Sequence, residues 1–277
     1  MKCKIIVCDL DGTLLNSNAD LSRENYDAIT ELAKRGIIFV PNTGRSFSEA
    51  PSCVREHPAI KYFISSNGSV VQDIEGGIIA ETLVPSESVK KINEMARKCQ
   101  LLCTNHKDNR TFSNKEMMDD VTMKEHHISD YFRHQIYTCT NPIDDFYDYF
   151  DTCGACEMVA GCFKNETDKK EFFDVVNKIP NIRVTETGNC IEIVSAFAGK
   201  DTGVKILLEK LGIGIDELIT IGDGENDLNM IKMTPNSVAV SNASVAVKSA
   251  AGHVGCSNNE HIVKYVLDNI LSNDEAK

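Results

Sequence analysis

Two short apolar runs, each halted by acids and glycines, restrict this chain more than anything else in it: KIIVCDLDGT at 4–13 and LITIGDGEND at 218–227. Runs of four or five branched aliphatic residues without a polar face are the mark of strands buried on both sides, and such strands belong to parallel sheets. Polar residues at their carboxyl ends fall where open α/β sheets form their binding crevices. The two runs come from opposite ends of the sequence, and a parallel sheet would bring them to one rim.

Between and after them the texture fits that sheet. Ser22 is placed to cap a helix with Tyr26, Ile29 and Leu32 on one stripe and Gly36 beyond its end. IIFVPNTGR at 37–45 and FISSNG at 63–68 read as further strands running into loops, and VVQDIEGGIIAET at 70–82 as a hairpin about Gly76-Gly77. Val204, Leu207, Leu208 and Leu211 give a sheet-covering helix stopped by Gly212, 236–240 is a short strand, and Ile262, Val263, Val266, Leu267 and Ile270 form the face of a last helix. From Pro85 the pattern changes. It predicts a helix over 86–99, strands at 101–106 and 110–113, a helix over 115–128 and a strand near 136. Helices at 143–152 and 167–178, a strand at 156–162, and two strands at 182–186 and 189–194 complete it. The simplest organisation is a discontinuous α/β core of 1–83 and 196–277 with a second α/β domain, 84–195, inserted into it.

Charge narrows the partners. With 29 Lys and Arg against 41 Asp and Glu the formal charge is −12 over 277 residues, a field that repels nucleic-acid backbones. A phosphorylated small molecule would need a cation. No apolar run nears the roughly 20 residues of a membrane span, and MKCKIIVCDLDG is a poor signal peptide, so the expectation is a cytoplasmic protein. The 11 cysteines are then read mostly as small buried hydrophobes rather than a disulfide framework. Cys153-Gly154-Ala155-Cys156 is a lone CxxC and is read as structural. His126, His127 and His134 are read as solvated, and the Asn165-Glu166-Thr167 glycosylation pattern as unused.

The chemistry gathers in four places. Asp9 and Asp11, at i and i+2, would share a face on a regular strand and repel unless a cation or proton lies between them. Asp223, Asn226 and Asp227 form a second cluster whose spacing is wrong for an EF-hand. Oxygen donors of both clusters together suit magnesium. Thr43-Gly44-Arg45 after one strand and Lys200 before the amphipathic helix offer a hydroxyl, a backbone N–H and an ammonium, the groups a phosphate requires. DLDGTLL at 9–15, TGR at 43–45, Lys200 and GDGEND at 222–227 together resemble the four motifs of the haloacid dehalogenase-like superfamily, in particular its Cof-type phosphatases with a large α/β cap. Ser66-Asn67-Gly68 and the inserted domain also fall where those enzymes have them. Lys200 departs from the pattern in being followed by Asp201 where the family often has Gly.

The resemblance implies a Rossmann-like core and a cap that closes over the site and selects substrate. It implies Asp9 as the nucleophile of an aspartyl-phosphate, and Asp11 as acid for the leaving alcohol and base for water. Mg2+ would be held by Asp9, the Asp11 carbonyl and Asp223, with Asp227 in the outer shell, and phosphate bound by Leu10, Thr43, Gly44, Lys200 and Asn226. A carboxylate and a phosphate dianion about 4 Å apart repel by roughly 8 kcal/mol at an effective dielectric of 20, so attack requires such cations. The substrates implied are small phosphorylated metabolites, sugar phosphates first, with no obligate protein partner evident. A phosphomutase or phosphotransferase of the same superfamily, and a sugar-phosphate-binding regulator without turnover, are the alternatives.

Overall fold

In the computed structural model, which describes residues 3–271, the first apolar run becomes strand β1 (Ile5–Cys8), every residue of it buried. The helix Arg23–Lys34 follows, with the Ser22 hydroxyl accepting from the Asn25 N–H at 3.2 Å. Strand β2 (Ile38–Pro41) returns parallel to β1. Strand β3 (Tyr62–Ser65) runs antiparallel to β4 (Val70–Asp73), and β5 (Ile78–Glu81) lies beside β4 as the outer member of that hairpin. A single parallel bridge, Asn42 to Ile64, joins β2 to β3.

The chain then makes a different sheet. Strands β6 (Leu102–Lys107), β7 (Arg110–Asn114), β8 (Asn141–Ile143), β9 (Met158–Cys162), β10 (Ile182–Thr187) and β11 (Cys190–Ser195) line up in the order β10-β11-β9-β6-β7-β8. All neighbours are antiparallel except β7 and β8. Helices Ser86–Lys98, Phe146–Thr152 and Glu166–Val176 bury Val89, Ile92, Phe146, Phe150, Phe172 and Val176 in one core with Cys103, Val159, Ile191 and Ile193 from the strands. On return, β12 (Leu218–Gly222), β13 (Val238–Ala239) and β14 (His253–Val254) complete a five-stranded, wholly parallel sheet of order β14-β13-β12-β1-β2. The helix Lys200–Leu211 packs Val204, Leu207 and Leu208 against Ile5, Val7, Val40 and Ile64.

Two compact units result. One combines the chain up to Gly44 with Ala50–Ala80 and the chain from Gly199; the other holds Arg45–Glu49 and Glu81–Ala198. Among the described residues, no helix is long and apolar enough to cross a membrane.

Several local expectations fail here, each for an identifiable reason. The strand expected near 136 is the helix Asp130–Cys139, whose N-terminus the Ser129 hydroxyl caps. Its branched and aromatic residues suit either state, and burial of Ile136 against Leu102 and Met123 decides for the helix. The helix expected over 115–128 is split: Asp119 accepts from the N–H groups of Val121 and Thr122 and so starts a new helix, Asp120–Glu125. His126 is not solvated. It is buried, and its ring nitrogens lie 2.7 and 2.8 Å from the carbonyl oxygens of Thr122 and Gln100. His127 and His134 are exposed as expected. Cys162 and Cys190 are disulfide-bonded, directly opposite one another on β9 and β11; their separation of 28 residues hides a pairing that only strand register reveals. Cys153 and Cys156 are free thiols, and Asn165 caps the helix that follows it.

Candidate active site

The site grows from the ends of β1 and β12. Strand β1 stops at Cys8, so Asp9 and Asp11 do not share a strand face: Asp9 is buried, and Asp11 is exposed within one wide turn over Leu10–Leu14. That turn passes through Gly12 at φ 76°, where a Cβ would stand 2.7 Å from Asp223 Oδ2. Only glycine lets the first motif lie this close to the second. The Thr13 hydroxyl then donates to Asp223 Oδ1 at 2.7 Å.

Lys200 enters from the first turn of its helix, 2% exposed, and its ammonium donates to Asp9 Oδ1 at 2.5 Å and to Asp227 Oδ1 at 2.7 Å. Asp201 after it does not disturb this presentation; Gly203, one turn on, is the glycine that packs closely, against Ile64. The other Asp227 oxygen accepts the N–H groups of Asp223 and Gly224, both at 3.0 Å, which fixes the GDGEND loop. Oxygens of Asp9, Asp223 and Asp227 lie within 4.8 Å of one another.

One ammonium cannot neutralise three carboxylates. Burial would push the Lys200 ammonium toward neutrality, but Asp227 and Asp9 more than offset this and hold it charged. The Asp9 carboxyl is pushed well above its ordinary range, first by burial and then by Asp227 and Asp223, with Lys200 opposing; burial pushes Asp223 the same way. Counted as ionised, three carboxylates against this one ammonium leave an excess of two negative charges. Closely set hard oxygen donors with excess negative charge fit a divalent cation such as Mg2+ or Mn2+.

The other residues expected at the phosphate follow the ends of β1, β2 and β12. Leu10 is buried in the turn, Thr43 is buried with its N–H donating to the Ile64 carbonyl at 3.0 Å, and Gly44 adjoins the Asn67 side chain. Asn226 is exposed and donates from Nδ2 to Asn67 Oδ1 at 3.2 Å. The Arg45 guanidinium donates to the Glu49 carbonyl. Reading the sequence by itself missed the Lys200–Asp227 pair and the Thr13–Asp223 bond. It also missed Asn42, whose Nδ2 donates to the Lys200 carbonyl at 3.1 Å and steadies the helix start. Position at a strand end, just ahead of Thr43, is the signal that marks Asn42.

A parallel sheet with a buried lysine and strand-end acids from both ends of the chain places it among the α/β enzymes that work at the carboxyl ends of their strands. The chain belongs to the haloacid dehalogenase-like hydrolase family, whose profile matches residues 6–267, and it is a phosphatase of that family. It is 27% identical to the 5-amino-6-(5-phospho-D-ribitylamino)uracil phosphatase YwtE of Bacillus subtilis, over the full length of both chains (100% of each). It is 29% identical to an Arabidopsis thaliana protein named chloroplastic endoribonuclease YBEY over 94% of this chain, which spans 45% of that longer relative. In three dimensions it is similar to a haloacid dehalogenase-like hydrolase from Bacteroides thetaiotaomicron, with a TM-score of 0.80, 25% identity, and coverage of 97% of this chain and 100% of that one.

Proposed function

We propose that this chain hydrolyses the phosphomonoesters of small phosphorylated metabolites, sugar phosphates first among them, with Mg2+ and through an aspartyl-phosphate on Asp9. The observation that carries the reading is the meeting of Asp9, Asp223 and Asp227 around the buried Lys200 ammonium. In this scheme an Asp9 oxygen bonds to phosphorus as the ester's P–O bond breaks, and Asp11 gives its proton to the departing alcohol. Asp11 then takes a proton from water, which attacks phosphorus, frees the Asp9 carboxylate and releases inorganic phosphate. Exposure of Asp11 beside the buried Asp9 suits a group that exchanges protons with solvent-derived species. Leu10 and Gly44 N–H groups, the Thr43 hydroxyl, Lys200 and Asn226 bind the phosphate oxygens.

Asp9, the Asp11 carbonyl and Asp223 would hold Mg2+, with Asp227 behind them, and the ion supplies the positive charge that lets a carboxylate approach a phosphate. The grip of Asp227 on the Asp223 and Gly224 amides supports that orienting part. Substrate choice is assigned to the 84–195 segment and the setting to the cytoplasm. The Bacillus subtilis relative, named for a phosphorylated ribityl compound, supports the substrate class. The test is a panel of a few dozen phosphate esters assayed for inorganic phosphate with Mg2+ and with EDTA, competing sugar acceptors included. Release that requires Mg2+ is expected. Transfer to an acceptor in place of release would make the chain a phosphotransferase, and ligand binding without either would make it a regulator.

A further inference from the structure

The loop between β3 and β4 adopts a backbone that the connection itself does not demand. Ser66, Asn67 and Gly68 have φ of 50°, 53° and 84° in succession, and all three are buried. Four-residue hairpin connections are ordinarily built around a type I turn with negative φ at its centre, and consecutive left-handed residues persist only where the surroundings enforce them. Here the surroundings are functional. The Asn67 N–H donates to the Thr43 carbonyl at 3.0 Å. A Cβ on Gly68 would fall 2.0 Å from the Gly199 carbonyl oxygen, so the loop lies directly on the residue preceding Lys200. Asn67 Oδ1 accepts from Asn226 Nδ2. One loop therefore touches all three stretches, 43–44, 199–200 and 226, that carry residues assigned to the phosphate.

We propose that Asn67 is a positioning residue for phosphoryl transfer, acting through Asn226; this rests on the assignment of Asn226 to the phosphate. The Asn226 side chain is exposed, and a carboxamide left to itself has two orientations of similar shape, one presenting N–H donors and the other a carbonyl that repels an anion. The Asn67 oxygen takes the Nδ2 hydrogen bond, and that bond holds the Asn226 carboxamide with its N–H donors on the side of Asn67. One Nδ2 hydrogen goes to Asn67 and the second is left for a phosphate oxygen, a charge-assisted bond of the stronger kind. The left-handed backbone at 67 is what carries the carboxamide to that point, and asparagine tolerates it better than other side chains with the same group.

Asn67→Gly removes the carboxamide while suiting the left-handed backbone, and Asn67→Ala removes it while leaving the backbone strained. Both are expected to raise the KM for a phosphate ester and the inhibition constant of inorganic phosphate, and to lower kcat/KM by about tenfold, the worth of one bond to a charged group. Only Asn67→Ala should lower the melting temperature. Because the two asparagines act as a unit, Asn67→Gly combined with Asn226→Ala should be no worse than Asn226→Ala alone. Wild-type kinetics and phosphate inhibition in Asn67→Gly would overturn the assignment while the proposed activity stands, and so would losses that multiply in the double variant. A wild-type protein that releases phosphate from no ester overturns the activity, and this assignment with it.

Discussion

The two larger sheets use their polar residues in opposite ways. In the parallel sheet β1 and β12 are buried along their whole length, with Thr220 the one polar side chain inside them, so charged side chains are confined to where the strands stop, and there Asp9, Asn42, Thr43 and Asp223 accumulate. In the antiparallel sheet one face of β6, β9 and β11 joins the helices through Cys103, Val159, Ile191 and Ile193, while Thr104, His106 and Glu192 alternate onto the other face along the strands themselves. Burying both faces concentrates chemistry at chain ends, where it leaves a compact sequence motif. Alternation spreads polar groups through the strands, buried His106 among them, where no motif records them.

The comparison breaks most sharply at Asp9. Asp9→Asn is expected to lower turnover by more than about a thousandfold, since an amide is a far poorer nucleophile. The melting temperature should not fall, because one of three crowded carboxylates has lost its charge. Purified Asp9→Asn with wild-type turnover would mean that this strand end is an ordinary turn.

Legibility in the sequence follows the same division. Asp9, Asp223, Asp227 and Lys200 could be singled out because each borders an apolar run whose type was unambiguous, and β1, β2, β12 and the helix Lys200–Leu211 lie where the pattern puts them. The bonds that make them a site could not be read. Thr13 to Asp223 spans 210 positions and Asn67 to Asn226 spans 159, and neither distance is encoded in local periodicity. In the inserted region, strand and helix at 136 compete at nearly equal local preference, and packing of Ile136 on Met123 breaks the tie. The burial of His126 likewise depends on the Gln100 carbonyl, brought up by a different segment.

The antiparallel sheet has its own test, of intermediate size. Cys162 and Cys190 close a loop across neighbouring strands, and restricting the unfolded chain in this way contributes about 2–4 kcal/mol. Reduction, or Cys162→Ser with Cys190→Ser, should lower the denaturant midpoint accordingly. Thiol titration of the unreduced, denatured protein should find 9 free thiols of the 11 cysteines. Eleven before reduction would return this sheet to the thiol-only reading of the sequence.

The smallest expected effect asks how finely the strand-end cluster is tuned. Thr13 is fully buried, and its hydroxyl donates to Asp223 Oδ1 at 2.7 Å, so that carboxylate is held in one orientation. Valine has nearly the same shape and no donor, and Thr13→Val therefore keeps the packing but frees the carboxylate. Loss of a hydrogen bond that orients a metal-binding carboxylate weakens binding by roughly 10–100-fold. Calorimetric titration with Mg2+ should register that loss, the rate at saturating Mg2+ should recover in large part, and Thr13→Ser should behave as wild type. Unchanged Mg2+ affinity in Thr13→Val would detach Asp223 from the cation and leave the Thr13 bond as a fastening between two loops, the kind of role that polar residues fill throughout the other sheet.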